Sequence, residues 1–303
     1  MGVRCLITGG NGFLGNGLKR YLTGWDNLTI GRVNCDIKYN YVPDEEVAIP
    51  EVDVVIYAMG KAHDFSSKKM STYYGEMFDT NCKKLKLFLD QLSKSKSLPI
   101  TFIYISSVSV YGIKSGLDID ENHQLGATDP YGKSKIEAEK IVSEWTQKEN
   151  IKCVILRLPL IIGDDPPGNL NRMIKALKKK SFILFDHGKA KKSVVHIESI
   201  ADVISKSVGR NGIFNITDCI NPTFKEIVYF FTKAVNARNP ISIPSHLIKV
   251  FLKIGSFFSK RSQAILNTID KMTLDLTFSN KKAIKEFKWN PKPALGYNVR
   301  INI

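Results

Sequence analysis

Two side chains that can move a proton between them stand four residues apart near the middle of the chain. Tyr131 and Lys135 form the pattern Y-x-x-x-K. With Thr128 or Asp129 as cap and Pro130 at the first helical position, the pair falls on one helix face. An ammonium beside a phenol favours the phenolate, so Tyr131 can exchange a proton near neutral pH. Upstream, Ile105-Ser106-Ser107-Val108-Ser109-Val110-Tyr111-Gly112 closes a buried apolar run. There Ser107 can hydrogen-bond an oxygen that becomes, or has been, a carbonyl. Y-x-x-x-K alone is as readily a solvated helix face, so its meaning depends on what accompanies it.

What accompanies it is a glycine turn at the N-terminus. Thr8-Gly9-Gly10-Asn11-Gly12-Phe13-Leu14-Gly15 follows one apolar run and opens a helical pattern. Gly9, Gly12 and Gly15 have the spacing that permits a tight turn, a close backbone approach to a pyrophosphate, and close helix–sheet packing. The N–H groups of Phe13, Leu14 and their neighbours then face the phosphate charge. The bland alternative is a structural turn that binds nothing, but strand, turn and helix in this order point to a dinucleotide. Lys135 can then also reach ribose hydroxyls. The second strand should end in an acid that holds a ribose 2′-OH. It ends in Gly31-Arg32 instead, and Arg32 can pair with a 2′-phosphate. NADP(H) is therefore favoured, with NAD(H) possible if Arg32 is merely solvated and Asp36-Ile37 serves the adenosine end.

The elements needed to position these residues are legible in the first half. Strands are expected at Arg4–Thr8, Leu28–Gly31, Val52–Tyr57, Thr101–Ser106 and Cys153–Arg157, and helices at Phe13–Leu22, Thr72–Ser93 and Tyr131–Lys148. In Thr72–Ser93, Phe78, Cys82, Leu85, Leu89 and Leu92 mark one buried face. Alternation of this kind predicts an α/β fold: a Rossmann-type, doubly wound parallel sheet. Residues 32–51 are polar and contain proline where a crossover helix would normally fit, so a loop or a lost helix is expected. The dinucleotide-binding domain is read as 1–163. Residues 164–303 are read as a smaller, partly discontinuous substrate-binding region, with helices near 170–179, 222–237 and 245–258. Segments near 194–218 return to the first domain, the runs Val194–Ile197 and Ile213–Ile216 being able to rejoin its sheet.

The 303 residues have 44 Lys and Arg against 29 Asp and Glu, a formal net charge of +15. That balance favours anionic partners without choosing among them. The 43% hydrophobic and 24% charged composition excludes disordered, collagenous and coiled-coil classes. Five scattered cysteines with no C-x-x-C argue against a disulfide framework or a metal site and for reduced, cytoplasmic thiols. No secretory signal opens the chain, and no apolar stretch of about 18 residues suggests a spanning helix. No nucleic-acid motif is present. Ser245–Arg261 is basic and amphipathic, which suits a helix packed on the substrate region or, less simply, one lying on a membrane.

Taken in order, these motifs resemble the extended short-chain dehydrogenase/reductase family, the nucleotide-sugar-modifying NAD-dependent epimerase/dehydratase group. The resemblance runs over about residues 3–291. It rests on Thr8–Gly15, Asp53–Ala58 before Met59-Gly60-Lys61, Asn81, Ser107–Gly112, Tyr131–Lys135 and Arg157-Leu158-Pro159 to Gly163. It continues through Val195-His196-Ile197 to Ala201-Asp202, and Lys288-Trp289-Asn290-Pro291. It implies Tyr131 as acid/base, Lys135 as its partner and Ser107 as the hydroxyl donor. It also implies Ala58, Met59, Gly60, Asn81 and Pro159 as cofactor contacts. Asn81 has a second reading, a satisfied polar residue on a helix. The family implies a nucleoside-diphosphate sugar as partner, a homodimer, and polysaccharide precursor synthesis. Asn169 and Lys192 are expected at the sugar nucleotide, Lys192 standing where many members carry Arg; the other lysines of 172–192 read as solvated, and His196 as structural.

Three activities share this apparatus. A 4-keto-sugar reductase is preferred because of Gly31-Arg32. A 4-epimerase with tightly held NAD is the alternative, and a 4,6-dehydratase ranks third because Ser107-Val108 offers no acid pair. A non-catalytic dinucleotide sensor is the competing class, and the intact Ser107/Tyr131/Lys135 set argues against it.

Overall fold

The structure is a computed structural model and describes residues 2–61, 70–248 and 260–302. Its centre is a seven-stranded, all-parallel sheet. Seven of the strands are β1 (Arg4–Thr8), β2 (Asp26–Gly31), β3 (Ile37–Lys38), β4 (Val54–Tyr57), β5 (Thr101–Ser107), β7 (Lys152–Leu158) and β11 (Gly212–Asn215). They lie in the order β11-β7-β5-β4-β1-β2-β3. The order reverses between β1 and β4, which opens a crevice at the carboxyl ends of those strands. The central strands are buried on both faces, which is why Cys5–Ile7, Val54–Tyr57 and Phe102–Ile105 are continuous apolar runs rather than alternating ones.

Helices cover both faces. On one side α1 (Phe13–Tyr21), α6 (Ile197–Ser207) and α9 (Lys281–Phe287) enclose a core with Cys5, Ile7, Ile56, Leu156, Ile200 and Phe214. On the other, α3 (Lys84–Ser93) and α4 (Pro130–Lys148) bury Leu85, Phe88, Leu89, Ala138 and Val142 against Val55, Tyr57, Phe102 and Tyr104. The expected helix over 72–93 forms, with one widened stretch inside it. α2 (Met70–Phe78) passes through a wide π turn at Asp79–Lys83 before α3 begins. Such turns gather at functional positions, and this one contains Asn81.

No crossover helix joins β2 to β4. The connection carries the two-residue edge strand β3 and a loop in which Tyr39 and Tyr41 are buried, their rings 4.4 Å apart. Tyr41 also packs on Phe88 at 6.5 Å. Two aromatic side chains thus cover the sheet where the apolar face of a helix would lie, as their large apolar area permits.

The remaining strands form three two-stranded parallel sheets: β8 (Leu160–Ile162) with β10 (Val194–His196), β9 (Ile183–Phe185) with β12 (Ile241–Ile243), and β6 (Gly116–Ile119) with β13 (Leu276–Phe278). The run Ile213–Ile216 contributes to the main sheet through β11. The run at Val194 does not: β10 pairs with β8, because the chain leaves the main sheet at Pro159 and β8 offers the nearer edge. Around α5 (Gly168–Lys178) and α7 (Phe224–Ala234) lies a separate core of Leu170, Ile174, Leu177, Leu184, Ile227 and Phe231. α7 starts with a capping box, Thr223 accepting from Glu226 N and Glu226 accepting from Thr223 N. The expected helix at 245–258 is helical over 245–248 and otherwise lies outside the described residues. α8 (Lys260–Thr273) follows.

Candidate active site

The glycine turn is built for close approach. A Cβ on Gly15 would stand 2.3 Å from the Gly9 carbonyl oxygen, so α1 meets β1 at a distance only glycine tolerates. Gly12 occupies the N-cap of α1 without a side-chain cap, and the first turn has no acid. The N–H groups of Phe13 and Leu14 therefore belong to a helix start whose positive end is left for a ligand. This cradle fits the diphosphate of a dinucleotide. Asn11 ties it to the next loop, its Nδ2 donating to the Val33 carbonyl at 2.5 Å.

At the end of β2, Arg32 is exposed. Asp36 is turned back onto the strand: one carboxylate oxygen accepts from Thr29 N at 2.8 Å and from Thr29 Oγ1 at 2.7 Å. Those bonds hold its carboxyl below the usual carboxylate range. Ile37 pairs with Ile30 as the start of β3. The loop's acid is thus anchored to the sheet, while its arginine remains the cation presented beside β2.

Ser107, Tyr131 and Lys135 converge on one cleft, together with Ala58, Gly60 and Pro159. Met59 sits between the first two, its N–H donating to Thr8 Oγ1 at 3.1 Å. The cleft measures about 130 Å³, room for a ring-sized group where one water takes ~30 Å³. Ser107 caps a short 3₁₀ turn, Val108–Tyr111, and its Oγ accepts from Ser109 N at 3.2 Å and Ser109 Oγ at 2.9 Å. With its acceptor side occupied, the hydroxyl is left to donate its proton. Asp129 caps α4, accepting from Tyr131 N and Gly132 N, both at 3.1 Å. A Cβ on Gly132 would fall 2.5 Å from Ala127 Cβ and 2.8 Å from the Ser109 carbonyl oxygen. Glycine therefore lets α4 settle on the serine turn and brings Tyr131 to Ser107.

Lys135 is buried. Its Nζ donates to the Ile105 carbonyl at 2.8 Å and to the Tyr104 hydroxyl at 3.1 Å, and lies 4.8 Å from the Tyr104 ring centroid. Burial pulls its pKa down to about 8, with Glu139 opposing. Beneath the cleft, Arg157 grips Glu139 with two bonds, 3.0 and 2.7 Å, and donates a third to Tyr111 Oη at 3.0 Å. Tyr111 donates on to Asn215 at 2.7 Å, and Ser106 donates to Glu139 at 2.5 Å. A buried bidentate pair with its remaining valences satisfied holds β5, β7, β11 and α4 in one arrangement.

Asn81 is placed by the π turn with both ends of its amide bonded. Its Oδ1 accepts from Lys61 N at 3.0 Å and its Nδ2 donates to Ser134 Oγ at 2.9 Å. It braces the Gly60–Lys61 strand end against α4 and does not line the cleft. The two expected substrate contacts also lie off the cleft wall. Asn169 is exposed at the start of α5, accepting from Arg172 at 2.7 Å. Lys192 is drawn inward, its Nζ donating to the Leu274 carbonyl at 2.5 Å, because the strap after α8 runs alongside it as an extended bridge. His196 is buried, accepts from Glu198 N through Nδ1 at 3.2 Å and stacks on Tyr297 at 3.9 Å. Burial lowers its pKa to about 4.

Lys61, Ile105, Ser106, Leu158 and Ile161 also line the cleft. Lys61, ion-paired with Glu76, had a sequence signal, directly after the strand-end glycine Gly60; Ser109's role as the donor to Ser107 had none, because any of three serines could have faced inward.

A glycine turn at the head of a parallel sheet, and a serine, tyrosine and buried lysine gathered at the strands' carboxyl ends, define an oxidoreductase of the dinucleotide-binding Rossmann class. The NAD dependent epimerase/dehydratase family model matches residues 5–217, and the chain belongs to that nucleotide-sugar family. It is 24% identical over 315 aligned residues to a UDP-glucose 4-epimerase of Vibrio cholerae, covering 96% of this chain and 91% of that protein. It is 26% identical to N-acetyl-alpha-D-glucosaminyl-diphospho-ditrans,octacis-undecaprenol 4-epimerase of Escherichia coli O157:H7, covering 78% and 73%. Among solved structures, RMD from Pseudomonas aeruginosa complexed with NADPH superposes with a TM-score of 0.73 over 97% of this chain and 96% of that one, at 17% identity. Among the described residues no helix is long and apolar enough to cross a membrane.

Proposed function

We propose that the chain is an NADPH-dependent reductase of a 4-keto nucleoside-diphosphate sugar. The observation that carries the cofactor choice is the end of β2. Gly31 stands where an acid would repel a 2′-phosphate, Asp36 is committed to Thr29, and Arg32 is exposed beside them. Arginine's planar fork suits a phosphate.

In this reading Gly12 and the first turn of α1 bind the diphosphate, and Arg32 the 2′-phosphate. NADPH supplies a hydride from its nicotinamide. Ser107 donates a hydrogen bond to the substrate's carbonyl oxygen, polarising it. Tyr131 gives its phenolic proton to that oxygen as the carbon becomes an alcohol, and the ammonium of Lys135 stabilises the phenolate left behind. A proton from solvent then restores Tyr131, so one hydride and one proton are consumed per alcohol formed.

A second reading is a 4-epimerase that oxidises the sugar, lets the keto form turn and reduces it again. Two relatives that align over most of the chain carry epimerase names. One experiment separates the readings. Purified protein is denatured, any released nicotinamide identified, and the apo-protein titrated with NADPH and NADH. Exchangeable binding that favours NADPH supports the reductase; NAD carried through purification supports the epimerase and makes Arg32 a surface charge.

A further inference from the structure

Away from the cleft, the small sheet β9–β12 carries an apolar face with charge around it. The register pairs Ile183 with Ile241 and Phe185 with Ile243. Side chains two apart on a strand share a face, so all four lie on one side. Leu184, between them, turns the other way into the core of α5 and α7. The four are not buried: Ile241 is 76% exposed, Ile183 is 42% exposed, and Phe185 and Ile243 are half-buried. Exposed apolar residues are ordinary singly; two exposed and two half-buried on one face form a contact surface.

The approach to this face is basic. Exposed Lys178, Lys179 and Lys180 lead into β9, and exposed Arg238 leads into β12. The chain has no acidic residue at 166–185 or 227–269. At the far end of β9, Asp186 is occupied as acceptor for Ser245 N at 2.7 Å. An apolar face with cations gathered at one end complements a surface with an apolar interior and anionic headgroups. It has no exposed aromatic platform of the kind on which nucleic-acid bases stack.

We propose that the β9–β12 face docks the protein on an anionic lipid bilayer, Ile183, Phe185, Ile241 and Ile243 entering the headgroup region and Lys179 and Lys180 meeting lipid phosphates. The face is separate from the Tyr131 cleft, and the proposal stands whether the enzyme reduces or epimerises.

The test is co-sedimentation of the full chain with vesicles of phosphatidylcholine alone or mixed with phosphatidylglycerol, at low and high salt. Binding is expected only to the anionic vesicles and weakens with salt. The double variant Lys179→Gln/Lys180→Gln lowers vesicle affinity about thirtyfold, and Ile241→Ser about tenfold, with thermal melting and nicotinamide binding unchanged. Ile183→Ser repeats the apolar test should Ile241→Ser melt early. No sedimentation with anionic vesicles overturns the proposal. So does sedimentation that the charge and apolar variants retain, and so does capture of duplex DNA without capture of vesicles.

Discussion

The ammonium of Lys135 donates a hydrogen bond to the hydroxyl of Tyr104, 3.1 Å away on the neighbouring strand β5. Together with the Ile105 carbonyl at 2.8 Å it directs two of the three ammonium protons, leaving the third for Tyr131 or a ribose. Tyr104→Phe keeps the ring beneath the cation and removes the acceptor. The charged form of Lys135 then loses support, and its pKa falls further below about 8. Because the mechanism needs the ammonium, the alkaline limb of kcat/KM against pH moves to lower pH. A Tyr104 that merely fills space would lower kcat without moving that limb.

Proton transfer and carbonyl polarisation are separable at the serine turn. Tyr131→Phe lowers kcat by about 10²–10⁴ while nicotinamide binding persists. Ser109→Ala leaves Ser107 in place but without the donor that fixes its lone pairs, and costs about fivefold in kcat, roughly one hydrogen bond. Steady-state kinetics on both variants checks the order; equal losses would mean that Ser109 acts directly.

The proposed preference for NADPH rests on one side chain. Arg32→Ala weakens NADPH by about ten- to a hundredfold, the worth of a charge-assisted contact, and leaves NADH nearly unaffected. Fluorescence titration of apo-protein with each cofactor reads this out. Equal effects on both would detach Arg32 from the 2′-phosphate.

A buried carboxyl sets a pH dependence of stability. Asp218 is buried, with Oδ1 finding no partner among the described residues and Oδ2 accepting from His196 N at 3.1 Å. Burial raises its pKa to about 7 from an ordinary 3.8. The folded state therefore holds a proton that the unfolded state has lost, and stability falls as pH rises between those values. The cost is absent below the ordinary carboxylate range and complete above about pH 7, on the order of 4 kcal/mol. Asp218→Asn should raise the urea midpoint at alkaline pH and change it little at acid pH. A constant difference across pH would show the carboxyl to be charged throughout.

The parallel sheet was legible because both-face burial leaves an unmistakable trace, apolar runs such as Val54–Tyr57 separated by helical periodicity. The glycine turn and the helix face shared by Tyr131 and Lys135 were legible because local geometry dictates them, whereas which serine of Ser106, Ser107 and Ser109 meets that face depends on how the strand and α4 pack. The π turn at Asp79–Lys83 was not legible, since an extra residue in a helix leaves the apolar spacing nearly intact while rotating Asn81 onto Lys61 and Ser134. The loop at 32–51 was legible from its polar, proline-containing stretch, but the burial of Tyr39 and Tyr41, whose rings take over the role of a helix, was not. The strap that offers Lys192 the Leu274 carbonyl was not legible either, because sequence shows the charge and not what packs beside it.

Residue order alone determined what depends on neighbours within a turn or a strand: which segments bury two faces, where a helix can start beneath a phosphate, and that a tyrosine and lysine share a helix face. Tertiary structure decided what depends on residues far apart. It set Ser109 behind Ser107, Tyr104 beneath Lys135 and Arg157 against Glu139, and aligned Ile183 with Ile241. Those relationships arise where separate strands and helices meet, and their distances follow from packing that no local pattern encodes.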